Sequence, residues 1–157
     1  VPTPSLTALA AAALRLRERP ERVLEIGCGE GEGVLFLARE FPSARVRGVD
    51  PAEETIRAVV ARTGLDPEGR VAFKAATPRR LPYPDDFFDL VTQRGGRLHL
   101  NEITRVLRPG GQLILVGGRR LLDWRLRGRG FDSLEPGEAA GERFLLAHLA
   151  PGAPAPE

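Results

Sequence analysis

Arg22-Val23-Leu24-Glu25-Ile26-Gly27-Cys28-Gly29-Glu30-Gly31 is the stretch on which the fold turns. Its first five residues are apolar apart from Arg22 and Glu25, a composition suited to a short buried strand, and the strand empties into a loop with glycine at three alternate positions. Beyond the loop, Val34, Leu37, Ala38 and Phe41 recur at i, i+3, i+4 and i+7, one face of a helix that Pro42 ends. Gly27, Gly29 and Gly31 remove side chains where strand turns into helix, so a ligand can approach the backbone and the helix N-terminus. A plain tight turn needs one or two glycines, and three favour a ligand. The G-x-G-x-x-G dinucleotide fingerprint needs a small residue at position 32, where this chain has Glu32. Glu25, Glu30 and Glu32 would repel a pyrophosphate and suit a ligand with cationic groups. Glu30 and Glu32 also complement a helix dipole, whereas Glu25, inside an apolar strand, needs a partner.

The same alternation continues along the chain. A second strand is expected at 45–49, and Asp50-Pro51-Ala52-Glu53 then reads as a capping box opening a helix with Ile56, Val59, Val60 and Thr63 on one face and Gly64 past its end. A third strand is expected at 70–74. A Pro-rich loop, 81–86, leads into a fourth at 87–91, with Thr92-Gln93-Arg94-Gly95-Gly96 as its exit. Leu100, Ile103 and Leu107 mark a helix stopped by Arg108-Pro109-Gly110-Gly111, and 112–116 is a fifth strand. A helical stretch around Trp124 within 118–130 precedes two last strands, 131–134 and 142–149, and a frayed tail at 151–157. Before the first strand, an Ala-rich helix capped by Ser5 or Thr7 and stopped by Pro20 accounts for 1–20. A signal peptide is the poorer account, because Arg15 and Arg17 interrupt the apolar run and no basic n-region precedes it. Strands alternating with helices predict a single α/β domain over 1–150, a mostly parallel, doubly wound sheet whose ligand sits beyond the strand ends at the switch point.

The 157 residues, 42% apolar and 28% charged, fit one ordinary globular core, and no stretch approaches the roughly 20 apolar residues of a membrane helix. Twenty-three basic residues against 21 acidic leave a net charge of only +2, so no single-sign field advertises nucleic acid. All the bases except Lys74 are arginine. Asn101 is the only Asn and Met is absent, a depletion that points to a heat-adapted source and that a GC-rich genome also produces. The single Cys28 excludes an internal disulfide and a Cys-rich metal site, no metal is expected, and a cytoplasmic setting follows. Cys28 reads as a small apolar filler rather than a nucleophile, since no His accompanies it. Arg119, Arg120, Arg125, Arg127 and Arg129 around Trp124 form the one basic cluster, read as a solvated face.

Four motifs in order, from Val23 to Leu149, resemble the class I S-adenosylmethionine-dependent methyltransferases. Residues 23–31 look like that family's cofactor motif, Val49-Asp50 like the acidic end of its second strand, 81–91 like its run into strand four and 102–111 like its run into strand five. The resemblance implies a Rossmann-like, seven-stranded sheet with an antiparallel last strand. It also implies S-adenosylmethionine as cofactor, with S-adenosylhomocysteine as product. By the same carry-over Glu25, Gly27, Cys28, Gly29 and Gly31 line the amino-acid end, Asp50 takes the ribose hydroxyls with Pro51 beside it, and Gln93, Arg94 and Tyr83 line the pocket. The usual acidic adenine contact is replaced by Thr77. Methyl transfer from a sulfonium leaves a dedicated base optional. His99, after the fourth strand on the ligand side, is the candidate where the acceptor must lose a proton. The Asn-Pro-Pro-Tyr signature of amino-methylating nucleic-acid enzymes is missing after strand four. That argues against an adenine-N6 acceptor; a small-molecule acceptor is the first expectation, RNA or protein the second and a non-catalytic cofactor-binding subunit the third. Only about 21 residues precede the first strand and 93–101 is short for the family. Either the acceptor is small and held in an open cleft, or a second copy, a partner subunit or a macromolecular acceptor completes the site.

Overall fold

Leu24, Ile26, Val91, Leu113 and Leu115 of the central strands face one apolar core, and Val23, Leu90, Ile114 and Val116 face another. That two-residue alternation is what a strand buried on both faces shows. The structure, a computed structural model, describes residues 6–64, 66, 68–117 and 122–152. In chain order the elements are α1 (Leu6–Ala13), β1 (Arg22–Ile26), α2 (Glu32–Glu40), β2 (Arg45–Asp50), α3 (Glu53–Thr63) and β3 (Val71–Ala75), followed by β4 (Phe88–Arg94), α4 (Leu100–Val106), β5 (Leu107–Val116), α5 (Asp123–Arg127), β6 (Phe131–Ala139) and β7 (Glu142–Leu149). The strands form one sheet in the order β3-β2-β1-β4-β5-β7-β6. The first five are parallel, and β7 runs antiparallel to both β5 and β6. This is the Rossmann-like, doubly wound sheet with an antiparallel last strand that the sequence leads one to expect. Helices α1, α2 and α3 cover one face and α4 and α5 the other. Neighbouring strands β1 and β4 lead off in opposite directions across the sheet, and ligands bind at such a switch point.

Several elements depart from expectation for physical reasons. Strand β4 continues through Thr92, Gln93 and Arg94, read from the sequence as an exit, because Thr92 and Gln93 pair with Glu25 and Ile26 of β1 and with Ile114 and Leu115 of β5. Val60, expected on the buried stripe of α3, is 47% exposed, and Ile56 and Val59 alone face inward. Leu107 opens β5 instead of closing α4, while 108–111 bulge out between the pairs Phe88 with Leu107 and Leu90 with Gln112. No capping box forms at Asp50: it stays in β2, and α3 starts at Glu53 after an Ala52 cap that makes no side-chain bond. Strand β6 runs past 134 to Ala139 and turns through Ala140 and Gly141, both at positive φ, into β7. Among the described residues no helix is long and apolar enough to cross a membrane. Ser5 and the tail beyond Gly152 lie outside the described residues, as do Arg119 and Arg120.

Helix α1 ends at Ala13, well before Pro20, because the following segment is held by side chains from the sheet. Gln112 accepts from the Arg17 amide at 2.9 Å and donates to the Glu18 carbonyl at 3.3 Å. The Asp89 carboxylate accepts from the Glu21 amide at 2.9 Å and the Arg22 amide at 3.0 Å. At the far end of α2, Arg70 donates to the carbonyls of Ala38, Phe41 and Ala44, closing a helix terminus that has no glycine cap. Asp89 thus sets where the chain enters β1. Asp89→Ala strands two amides and is expected to cost about 3 kcal/mol, and Asp89→Asn about half as much. Urea unfolding midpoints of the three proteins check this.

Candidate functional site

At the mouth of β1 the amides of Gly27 and Cys28 both donate to the Val49 carbonyl, at 2.8 and 2.9 Å, folding the loop over the end of β2. Gly27 and Gly29 have φ of +71° and +51°, and a Cβ on either would meet nothing within 4 Å. Gly31 differs: a Cβ there would stand 2.7 Å from Val59 and 3.1 Å from Phe73. Two glycines therefore leave open space and the third lets α3 and β3 pack close, so Gly31, expected at the ligand, serves the packing. Asp50 holds the loop from below. One carboxylate oxygen accepts from the Gly29 amide at 3.1 Å and the other from the Ala52 amide at 3.0 Å. An Arg62 guanidinium donating to the Glu30 carbonyl ties α3 to the same loop.

Glu25 and Arg94 point to the same face of the sheet from adjacent strands. Arg94 Nη2 lies 2.9 Å from Glu25 Oε1 and 3.5 Å from Glu32 Oε1, with the Glu25 side chain fully buried and that of Arg94 4% exposed. A Cβ at Gly33 would overlap the Glu25 carboxylate, so Gly33, which the sequence reading passed over, is what lets α2 close on the pair. Burial pushes the Glu25 carboxyl up to about 7 against the pull of Arg94. Glu25, expected at the cofactor, thus reaches the cleft only through Arg94. The Cys28 sulfur sits in the core against Val34 and the space left by Gly48, and burial with nearby Glu25 and Asp50 pushes its thiol up to about 12. Cys28, expected at the cofactor, does not line either cavity: its side chain is in the core, its amide donates to Val49 and its carbonyl accepts from the Gly31 amide.

Two cavities open at the strand ends. One, about 250 Å³, lies among Ile26, Gly27, Val49, Pro51, Ala76, Pro78 and residues 93–97. The other, about 330 Å³, lies over Leu115 and Val116 and is bounded by Leu98, His99, Leu122 and Arg125. Gln93, Gly95, Gly96 and Arg97 line both, so the end of β4 and the short loop after it are their common wall. Gln93 is buried; its amide donates to the carbonyls of Gly95 and Arg97 at 3.1 and 2.9 Å, and its Oε1 has no partner among the described residues. Thr77 does not line the cleft. It is exposed, its hydroxyl accepts from the Arg79 amide at 3.3 Å, and its neighbours Ala76 and Pro78 make an apolar wall instead. Tyr83 is likewise away from both cavities, packed edge-on to Phe88 at 4.8 Å. His99 is the N-cap of α4 and lines the larger cavity but not the cleft.

The Glu25 shift has a definite sign. A carboxyl raised from 4.5 to about 7 holds its proton more tightly in the folded chain than in the unfolded one. The stability this contributes is complete below 4.5 and is lost as pH rises through about 7. Glu25→Gln is expected to flatten stability across that window, leaving a smaller slope than the parent chain in denaturation midpoints measured from pH 4.5 to 8.

A family model described as a methyltransferase domain matches residues 23–111, more than half of the chain. The demethylmenaquinone methyltransferase of Thermus thermophilus is 35% identical over 114 residues, covering 68% of this chain and 51% of that protein. The fatty-acid O-methyltransferase of Mycolicibacterium smegmatis is 34% identical over 110 residues, covering 66% of this chain and 39% of that protein. The chain thus spans about half of the first of these curated relatives and 39% of the second. Among solved structures, that of the [4+2]-cyclase SpnF superposes with a TM-score of 0.74 over 91% of this chain and 80% of its own, at 21% identity, a likeness of fold. The motif region matched by the family model and the sheet order around it agree, and this chain belongs to the class I S-adenosylmethionine-dependent methyltransferases.

Proposed function

We propose that this chain binds S-adenosylmethionine in the 250 Å³ cleft and transfers its methyl group to a small molecule held in the 330 Å³ cavity next to it. The observation that carries the reading is the open space above Gly27 and Gly29, at a loop that Asp50 fixes from below, beside a second cavity that shares its wall. The residues fit that cofactor. Asp50, next to Pro51 of the cleft and with its carboxylate oriented by two backbone amides, would accept from ribose hydroxyls through its remaining lone pairs. Pro51, Ala76 and Pro78 offer apolar surface to a base ring, and the Thr77 hydroxyl has no part in it. Arg94 would face the cofactor's carboxylate, and the Gln93 Oε1 would accept from its ammonium. Bound there, the cofactor supplies a methyl carbon activated by a sulfonium. The chain's part is orientation, with the Gln93–Arg97 wall setting the line between the two ligands. His99 lines the far side of the acceptor cavity and would take a proton released by the acceptor through intervening water.

The relatives named for a quinone precursor and a fatty acid support a small acceptor. Fold alone does not fix the reaction, and the superposition on a cyclase illustrates it. Calorimetry is expected to show micromolar binding of S-adenosylmethionine and S-adenosylhomocysteine and none of NAD. Asp50→Ala is expected to weaken the first two at least tenfold, since a charged hydrogen bond contributes roughly 1.5–3 kcal/mol. A folded Asp50→Ala chain with unchanged affinity would sink the ribose assignment.

A further inference from the structure

Charge around the larger cavity is not distributed as in the rest of the chain. Across the sequence, bases and acids are nearly equal, 23 against 21. Among the described residues lining the 330 Å³ cavity, however, Arg97 and Arg125 are the charged side chains and no acid joins them. An outer groove of about 270 Å³ shares Leu98, His99 and Arg125 with that cavity and adds Arg79 and Arg129. Its one acid, Glu102, is already held by Arg105 at 2.6 Å. None of the four arginines is ion-paired among the described residues. The floor beneath them is apolar, made by Leu98, Leu115 and Leu122.

The three spaces form a series. The cofactor cleft and the larger cavity meet at Gln93–Arg97, and the larger cavity and the outer groove meet at Leu98, His99 and Arg125. An occupant of the middle space therefore has one end at the cofactor wall and the other among arginines that have no acid of their own. Building on the function proposed above, we infer that the acceptor is a small amphipathic anion. Its methyl-accepting atom lies at the Gln93–Arg97 wall, its apolar or aromatic body on the leucine floor, and its carboxylate or equivalent anionic group between Arg125 and Arg129, where the cavity meets the outer groove. Arginine suits the task because its planar fork pairs with a carboxylate through two parallel hydrogen bonds. The exposed position of both arginines makes the preference moderate and salt-sensitive.

The test compares three probes that share a phenol and differ in the charge of the tail: 4-hydroxyphenylacetate, its neutral amide and tyramine. Each is titrated calorimetrically into the full chain loaded with S-adenosylhomocysteine, and that ligand is first titrated alone. The acid is expected to bind about fivefold more tightly than the amide, with tyramine weakest and the spread shrinking as salt is added. In Arg125→Glu, and more so in Arg125→Glu with Arg129→Glu, the order of acid and amine is expected to invert, an outcome that misfolding cannot imitate. Retained S-adenosylhomocysteine affinity in Arg125→Glu checks the fold independently. Equal binding of the three probes, or no binding of the acid by a chain that does bind S-adenosylhomocysteine, overturns the anionic acceptor and leaves the cofactor reading standing. Failure of S-adenosylhomocysteine itself overturns both. Salt-dependent binding of a single-stranded RNA oligonucleotide that Arg125→Glu abolishes, with no preference among the probes, also overturns it in favour of a polymeric acceptor.

Discussion

A carboxylate and a guanidinium, 2.9 Å apart and withdrawn from solvent, sit where the first and fourth strands lie side by side and their crossovers part. Most of the site depends on that contact. An ionised group in an apolar core is costly unless it is paired, and breaking a buried pair by removing one partner leaves the other charge stranded. The pair therefore constrains both strands at the depth where the ligand cleft begins. It also dictates what α2 is allowed to be: only a residue without a Cβ at position 33 permits that helix to close over the carboxylate. Glu32, one residue earlier and 3.5 Å from the same guanidinium, extends the arrangement to the helix N-terminus.

The fold was legible because its cues are local. Apolar runs at strand length, helical stripes between them and glycine or proline at the junctions are all readable within a dozen residues, and the sheet assembles accordingly. Much of the site was not, because its contacts span long separations. Arg94 stands 69 residues from Glu25, and only the pairing of Glu25 with Thr92 brings them together. The same pairing explains why Thr92 and Gln93, polar residues that suggest a loop, continue a buried strand. Asp50 illustrates competition between local and distant partners. Its capping box with Glu53 is a sound local motif, but the Gly29 amide, 21 residues upstream, and the Ala52 amide claim the carboxylate instead.

The glycine loop shows how one motif carries two duties. Alternate glycines look equivalent in sequence, yet two stand over empty space while the third is pressed by Val59 and Phe73. Spacing alone does not separate them, since the distinction is made by Val59 of α3 and Phe73 of β3, far along the chain. The outer end of the site follows the same logic in reverse. Arginine is the default base of this chain, so a scatter of arginines in the sequence carries little meaning. It acquires meaning only when the fold gathers four of them around two adjoining spaces with a single, already engaged acid.

Cys28 has a further consequence. A thiolate is a good methyl acceptor, and one placed in a glycine loop beneath a sulfonium would be alkylated by the protein's own ligand. Here the sulfur is turned into the core and its thiol is kept protonated, pushed up to about 12. Methionine, another alkylatable sulfur, does not occur in the chain. A methyl donor seated on this loop would meet no exposed sulfur nucleophile.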